Sequence, residues 1–202
     1  MTNRFDSKVI GLDVGLLIGK FFMDTEELHY GYWPDEKKAT AQNFSQAQDR
    51  HSQLIIDNIP NNVKKILDVG SGSGSLAKKL IKLGYQVDCV IPSEFLAEKV
   101  KVKLSDSSKI YINKFEDLDI SHHYDLVLFS ESFQYVELND SIKKIISVLN
   151  KNGHLLICDV FHKNVEGISP MRGGHRLDLF DDEISNSTLV KEKDIDITKE
   201  TA

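Results

Sequence analysis

The sequence predicts an α/β fold, a doubly wound and mostly parallel sheet with a ligand site beyond the carboxyl ends of its strands. Between residues 63 and 161, short apolar runs alternate with stretches of helical spacing. Such alternation gives parallel strands joined by right-handed crossovers. Residues 124–130, YDLVLFS, are nearly continuously apolar, as in a strand covered on both faces. Residues 67–76 read LDVGSGSGSL. Glycine at every second position suits neither a strand nor a helix, so Gly70, Gly72 and Gly74 mark a loop that something approaches closely.

Residues 40–59 form one helix, with Phe44, Ala47, His51, Leu54 and Ile55 roughly along one face. A short strand at 63–69 leads into the glycine loop. The helix 75–83 spaces Leu76, Leu80 and Leu83 along one side and is capped by Gly84. A second strand, 85–91, stops at Pro92, and Ser93 caps a helix running to Leu104. Residues 109–115 alternate as a third strand and 124–130 form the fourth. The helix 139–150 carries Ile142, Ile145, Ile146 and Leu149 at helical spacing, and Asn152-Gly153 turns the chain into a fifth strand at 154–161. Residues 189–197 could supply one last strand. The expected division is an N-terminal helical segment, 1–60, over a domain spanning 61–202, the two forming one compact unit.

A length of 202 residues with 41% hydrophobic and 28% charged composition suits one domain with its own core. A formal charge of −6 argues against a nucleic-acid partner. No apolar run reaches the roughly 18 residues of a membrane span, and Asp13 interrupts the apolar patch near the start, so neither a membrane anchor nor a signal peptide is expected. Cys89 and Cys158 each lie in an apolar run, which fits a reducing, cytoplasmic setting. Neither belongs to a C-x-x-C or Cys/His cluster, and His122 and His123 sit in a polar loop, so no metal site is expected.

The glycine loop spaces its residues as G-x-G-x-G, with Ser75 where a dinucleotide fingerprint would have its last glycine, and it lacks the Gly-Lys-Ser/Thr of a P-loop. The motif instead resembles the first motif of class I S-adenosylmethionine-dependent methyltransferases, strand-D-x-G-x-G-x-G-helix. Residues 115–136 (FEDLDISHHYDLVLFSESFQYV), 145–161 (IISVLNKNGHLLICDVF) and HYGYW at 29–33 extend the resemblance over roughly 28–180. It implies a Rossmann-like sheet, S-adenosyl-L-methionine as cofactor and a small-molecule methyl acceptor. The C-terminal hairpin of that fold is shortened here, and a homodimer could complete the sheet.

The resemblance places the cofactor's amino-acid end on Asp68, Gly70, Ser71, Gly72 and Gly74, where a side chain at Gly70 or Gly72 would occupy the cofactor's place. It places the adenine end on Phe115 and Glu116, with Asp117 as the alternative carboxylate, and the reaction mouth at Ser130 and Glu131. The family's ribose-binding carboxylate falls on Ile91. Asp88 should face the other side of the sheet, leaving Glu94 or backbone groups for the ribose.

An oxygen or nitrogen acceptor also needs a proton acceptor, for which His175, Glu131, Tyr30 and Tyr135 are candidates. Tyr32, Trp33, Tyr135 and Arg172 are the expected substrate contacts, with the aromatic stretch 21–34 as a lid. Two other classes stay open: a non-catalytic cofactor-binding or regulatory domain, and a nicotinamide-binding oxidoreductase, which the glycine spacing disfavours.

Overall fold

The structure is a computed structural model that describes residues 7–22, 25–34, 39–104, 108–163 and 174–201. Two helices, α1 (Ser7–Phe22) and α2 (Ala41–Asp57), precede the sheet. The strands β1 (Lys65–Val69), β2 (Gln86–Val90), β3 (Ile110–Tyr111), β4 (Tyr124–Ser130) and β5 (Leu149–Cys158) form one sheet in the order β3-β2-β1-β4-β5. Every pairing is parallel. Helices α3 (Ser75–Lys82), α4 (Glu94–Leu104) and α5 (Leu138–Val148) make the crossovers. The strand order changes direction between β1 and β4, so the loops after these strands open the crevice where ligands of such sheets bind.

Alternation along each strand builds two cores. Ile66, Val87, Cys89, Ile91, Leu126 and Leu128 face α2, α3 and α4, and Leu16 of α1 joins this cluster. Leu67, Val69, Val90, Val127 and Phe129 face the other way, toward Ile142, Ile145 and Val148 of α5. The N-terminal segment therefore packs into the sheet domain's own core. A capping box starts α2: Thr40 Oγ1 accepts from the Asn43 N–H at 3.3 Å, and Asn43 Oδ1 accepts from the Thr40 N–H at 3.0 Å.

Asp88 lies on the face opposite Ile91, as its odd spacing requires. It is buried, its Oδ2 accepts from the Tyr124 hydroxyl at 2.9 Å, and its Oδ1 accepts from the Lys109 N–H at 2.9 Å. This carboxylate is structural and ties β2 to β4 beneath the sheet surface. Removing the hydroxyl in Tyr124→Phe leaves one buried carboxylate oxygen unpaired, and urea unfolding should show a loss of about 2 kcal/mol. Cys89 on β2 and Cys158 on β5 stand three strand steps apart, roughly 14 Å, and both are free. Two thiols should titrate in denaturant without reductant; a native disulfide would contradict the strand order.

Three expected elements differ. The third strand pairs only at Ile110–Tyr111, because the chain then turns to bury Phe115 against Phe129. The fifth strand begins at Leu149 and ends at Cys158. Beyond it, the Asp159 carboxylate accepts the Gln134 and Val160 N–H groups at 3.0 and 2.7 Å. Residues 189–197 form no strand. Instead α6 (Leu177–Ser185) covers the second core with Ile184 and Phe180, next to a separate two-stranded pairing of β6 (Phe161–His162) and β7 (His175–Arg176). The tail runs back irregularly, bonding Asn58 through Lys193 and accepting the Trp33 N–H at Glu200 O, 2.7 Å away. None of the helices formed by the described residues is long and apolar enough to cross a membrane.

Candidate functional site

The site begins where β1 ends. Asp68 is 1% exposed, and its Oδ2 is buried with no hydrogen-bond partner among the described residues. Burial pushes its pKa up to about 7, and the nearby Glu27 charge adds to the effect. Ser71 Oγ donates to the Asp68 carbonyl at 2.7 Å. The three glycines all take left-handed backbone, with φ of 73° at Gly70, 54° at Gly72 and 73° at Gly74. A Cβ on Gly70 would come within 2.4 Å of the Ser132 Cβ, in the loop after β4. A Cβ on Gly72 would stand 3.4 Å from Leu28. The close approach that the alternating glycines imply is thus made first by the chain itself, and Leu28 covers the loop.

Leu28 belongs to a segment, 25–34, that lies between α2 and the carboxyl ends of the strands. Gln48 of α2 anchors it, donating to the carbonyls of His29 at 2.6 Å and Glu27 at 3.3 Å. The Tyr32 N–H donates to Ala47 O at 2.9 Å, and Trp33 Nε1 donates to Asn43 Oδ1 at 3.1 Å. Lys79 of α3 reaches Glu27 at 2.9 Å and Asp49 at 2.8 Å. One open cleft of about 340 Å³ lies between this segment, α2, α3 and Lys103, but it contains none of the expected site residues.

Under the segment sits a cluster of ionisable groups. Glu131 follows β4 with φ 52°, a conformation costly for a residue with a Cβ. Its N–H donates to Cys158 O at 2.8 Å, and its Oε1 accepts the Tyr30 N–H at 2.9 Å. His51 of α2 places Nε2 3.4 Å from that Oε1 and 3.3 Å from Cys158 Sγ. The imidazole of His29 stacks on His51, with ring centroids 4.4 Å apart, and its Nε2 lies 3.2 Å from Glu27 Oε2.

Burial pushes the Glu131 carboxyl up to about 7 and pulls His51 down to about 3, the His29 charge adding to the second effect. Burial opposes charging of Glu27 and His29 as well, but their mutual attraction wins: Glu27 is held near 2 and His29 is raised. These groups come from segments as far apart as residues 27 and 158.

The expected site residues distribute as follows. Asp68, Ser71 and the glycines form the loop, and Ser130 adds a buried Oγ without a hydrogen-bond partner among the described residues. Glu131 reaches the mouth with the main chain of Tyr30, whose residue is 52% exposed. Tyr135 is exposed as a residue, but partial burial of its phenol, with the nearby Asp159, Tyr30 and Glu131, raises its pKa.

Other expected residues are committed elsewhere. Trp33 is 5% exposed and pinned to Asn43, and Phe115 is packed against Phe129. Glu116 accepts the Glu137 N–H at 2.9 Å, at the start of α5. The His175 ring packs edge-on against Phe133, with Nε2 3.0 Å from Phe133 O. Ile91 is buried in the first core, and Glu94 is exposed on α4. Arg172 lies outside the described residues. His29, His51, Glu27 and Cys158 were not singled out as site residues from the sequence. No short-range spacing links them, although HYGYW contains the first.

Residues 67–157 match the family model described as "Methyltransferase domain". The chain is 37% identical over 119 residues to a ribosomal RNA small subunit methyltransferase A of Campylobacter fetus subsp. fetus, covering 54% of this chain and 42% of that protein. It is 28% identical over 120 residues to an uncharacterized methyltransferase of Bacillus licheniformis, covering 57% of this chain and 56% of that one. The chain thus spans about half the length of these relatives. Its fold is similar to the geranyl diphosphate C-methyltransferase of Streptomyces coelicolor A3(2), solved with Mg2+, geranyl-S-thiolodiphosphate and S-adenosyl-L-homocysteine. That similarity has a TM-score of 0.75 at 16% identity and covers 93% of this chain and 78% of that one.

Proposed function

We propose that this chain, which belongs to the class I S-adenosylmethionine-dependent methyltransferases, methylates an oxygen or nitrogen atom of a small molecule. One observation carries the reading. A buried carboxylate oxygen on Asp68 lacks a partner among the described residues, beside a left-handed glycine loop, at the point where the strand order reverses. An amino-acid ligand with a cationic end fits that arrangement, and the orphaned Ser130 Oγ offers it a further polar contact.

S-adenosylmethionine supplies an activated methyl group when bound. Asp68 compensates positive charge, and the backbone from Gly70 to Gly74 leaves room for the ligand's amino-acid end once Leu28 moves aside. Buried Ile91 offers the ribose no carboxylate, so its contacts fall to backbone groups or Glu94. The acceptor enters among Tyr30, Glu131 and Tyr135. Glu131, backed by His51 at 3.4 Å, orients an O–H or N–H group and receives its proton. Two unpaired cysteines support a cytoplasmic setting.

Calorimetric titration with S-adenosylmethionine, S-adenosylhomocysteine and NAD tests this reading. The first two should bind one per chain and NAD should not. NAD binding in their place would establish the oxidoreductase alternative. Donor binding without consumption across a panel of small hydroxyl and amine acceptors would favour a non-catalytic domain.

A further inference from the structure

We propose that His29, His51 and Glu131 form a binding site for a zinc-like divalent transition-metal ion. Their donor atoms all lie within 4.8 Å of one another, and each arrives from a different part of the fold: the covering segment, α2 and the end of β4. One pair of these ligand atoms already stands at the spacing of a coordination shell. Tetrahedral zinc with nitrogen, oxygen and sulfur ligands separates neighbouring donor atoms by about 3.3–3.6 Å. His51 Nε2 stands 3.4 Å from Glu131 Oε1 and 3.3 Å from Cys158 Sγ.

The outer shell is also in place. His29 Nδ1 lies 2.8 Å from the Tyr30 carbonyl, where its N–H can donate and leave Nε2 free for a metal. His51 Nδ1 is buried without a hydrogen-bond partner among the described residues, a costly arrangement for an interior imidazole. His29 Nε2 has only the Glu27 carboxylate 3.2 Å away, whose charge a bound metal would compensate in its place. Glu27 and Glu131 supply the negative charge that a dication needs. Imidazole nitrogens with a carboxylate, beside a thiol, favour zinc over magnesium, which takes oxygen ligands.

Closing the shell takes a rotation of the His29 ring from its stacked position toward the His51 and Glu131 donors. The ion would therefore clamp the covering segment to the sheet. Three protein ligands leave a fourth position for water, the Cys158 sulfur or an acceptor atom. An acceptor O–H or N–H bound there would be made more acidic by the ion and would release its proton to solvent water. In the metal-loaded state the role of proton acceptor thus passes from Glu131 to water, and Glu131 serves as a ligand. This site departs from the expectation drawn from sequence, in which no metal site was foreseen. The spacing rules read there register ligands close together in the chain, whereas these donors span residues 29 to 131.

The test uses the full chain stripped of metal by a chelator that is then removed. Zinc, cobalt and magnesium are titrated separately without any methyl donor, so failure here leaves the methyl-transfer reading standing. One zinc per chain should bind and raise the thermal midpoint. Cobalt should give the intense visible bands of a four-coordinate site, and magnesium should bind far more weakly.

Glu131→Gln keeps an oxygen for the Tyr30 N–H, so it should fold, yet it should lose zinc affinity by at least about 100-fold. His51→Gln should do the same, and His123→Ala, in an exposed loop, should bind as the parent does. Absence of stoichiometric zinc binding, magnesium binding as tight as zinc, or undiminished zinc affinity in folded Glu131→Gln would each overturn the proposal.

Discussion

Gly72→Val should abolish detectable binding of S-adenosylhomocysteine while the chain stays folded. Two effects act, one on stability and one on binding. The backbone at this position has φ 54°, where a β-branched residue carries a penalty of about 1–3 kcal/mol. The first atom of the new side chain would also stand 3.4 Å from Leu28, and the two methyl groups beyond it have to push into the space the ligand's amino-acid end needs. A loss of at least about 100-fold corresponds to about 2.7 kcal/mol, which exclusion of the ligand has to supply, because the backbone strain is common to the free and bound protein and lowers stability instead. Calorimetry measures the affinity and circular dichroism verifies the fold. Leu28→Ala acts in the opposite sense. It empties the space in front of the loop without altering the glycine backbone, so S-adenosylhomocysteine should bind more tightly. Undiminished affinity in folded Gly72→Val would move the cofactor away from this loop.

Much of this arrangement was legible in the sequence because it is local. The strand-helix rhythm, Gly84 as a stop signal, and the acidic strand end before alternating glycines all act through neighbours in the chain. The position of Asp88 could be derived from strand periodicity alone, and the structure places it against Tyr124. The C-terminal region was less legible. The alternation in LVKEKDIDI suggests a strand, but the residues form none, while the acidic stretch LDLFDDEIS folds as α6 by burying Phe180 and Ile184 against the second core.

The cluster under the covering segment was the least legible part. His51 was read as one residue on a helix face. It becomes part of a polar site only because the chain returns over α2 with His29 and because Glu131 and Cys158 end adjacent strands. Trp33 shows the converse. An aromatic-rich stretch suggested a substrate surface, yet its indole has a structural partner in Asn43, the same side chain that caps α2.

Asp68→Asn should weaken cofactor binding and stabilise the ligand-free protein, both most strongly at alkaline pH. The Asp68 carboxyl is fully buried, with a pKa pushed to about 7 chiefly by burial and secondarily by Glu27. A folded-state value raised above the unfolded one means that its contribution to stability is fully present below the unfolded pKa and is lost as pH rises through about 7. At pH 8 the group is mostly ionised, and holding that charge in the interior costs on the order of 4 kcal/mol. The amide keeps the shape and carries no charge, so the variant should melt higher than the parent at pH 8, by a smaller margin at pH 5, and nearly equally with it only below about pH 4, under the unfolded pKa.

Ligand binding runs the other way. A cationic group near the carboxylate favours its ionised form, so parent affinity for S-adenosylhomocysteine should climb as pH rises through about 7, with a proton released on binding below that point. In the variant this contribution disappears. Affinity should fall by about 10- to 100-fold at pH 8, the worth of about 1.4–2.7 kcal/mol for a buried charge-assisted contact, and much less at pH 6. Calorimetry in two buffers of different ionisation enthalpy reads the proton directly. If the variant loses stability at pH 8 and retains the parent's affinity, Asp68 is a structural residue of the strand end and the cofactor's positive charge is compensated elsewhere.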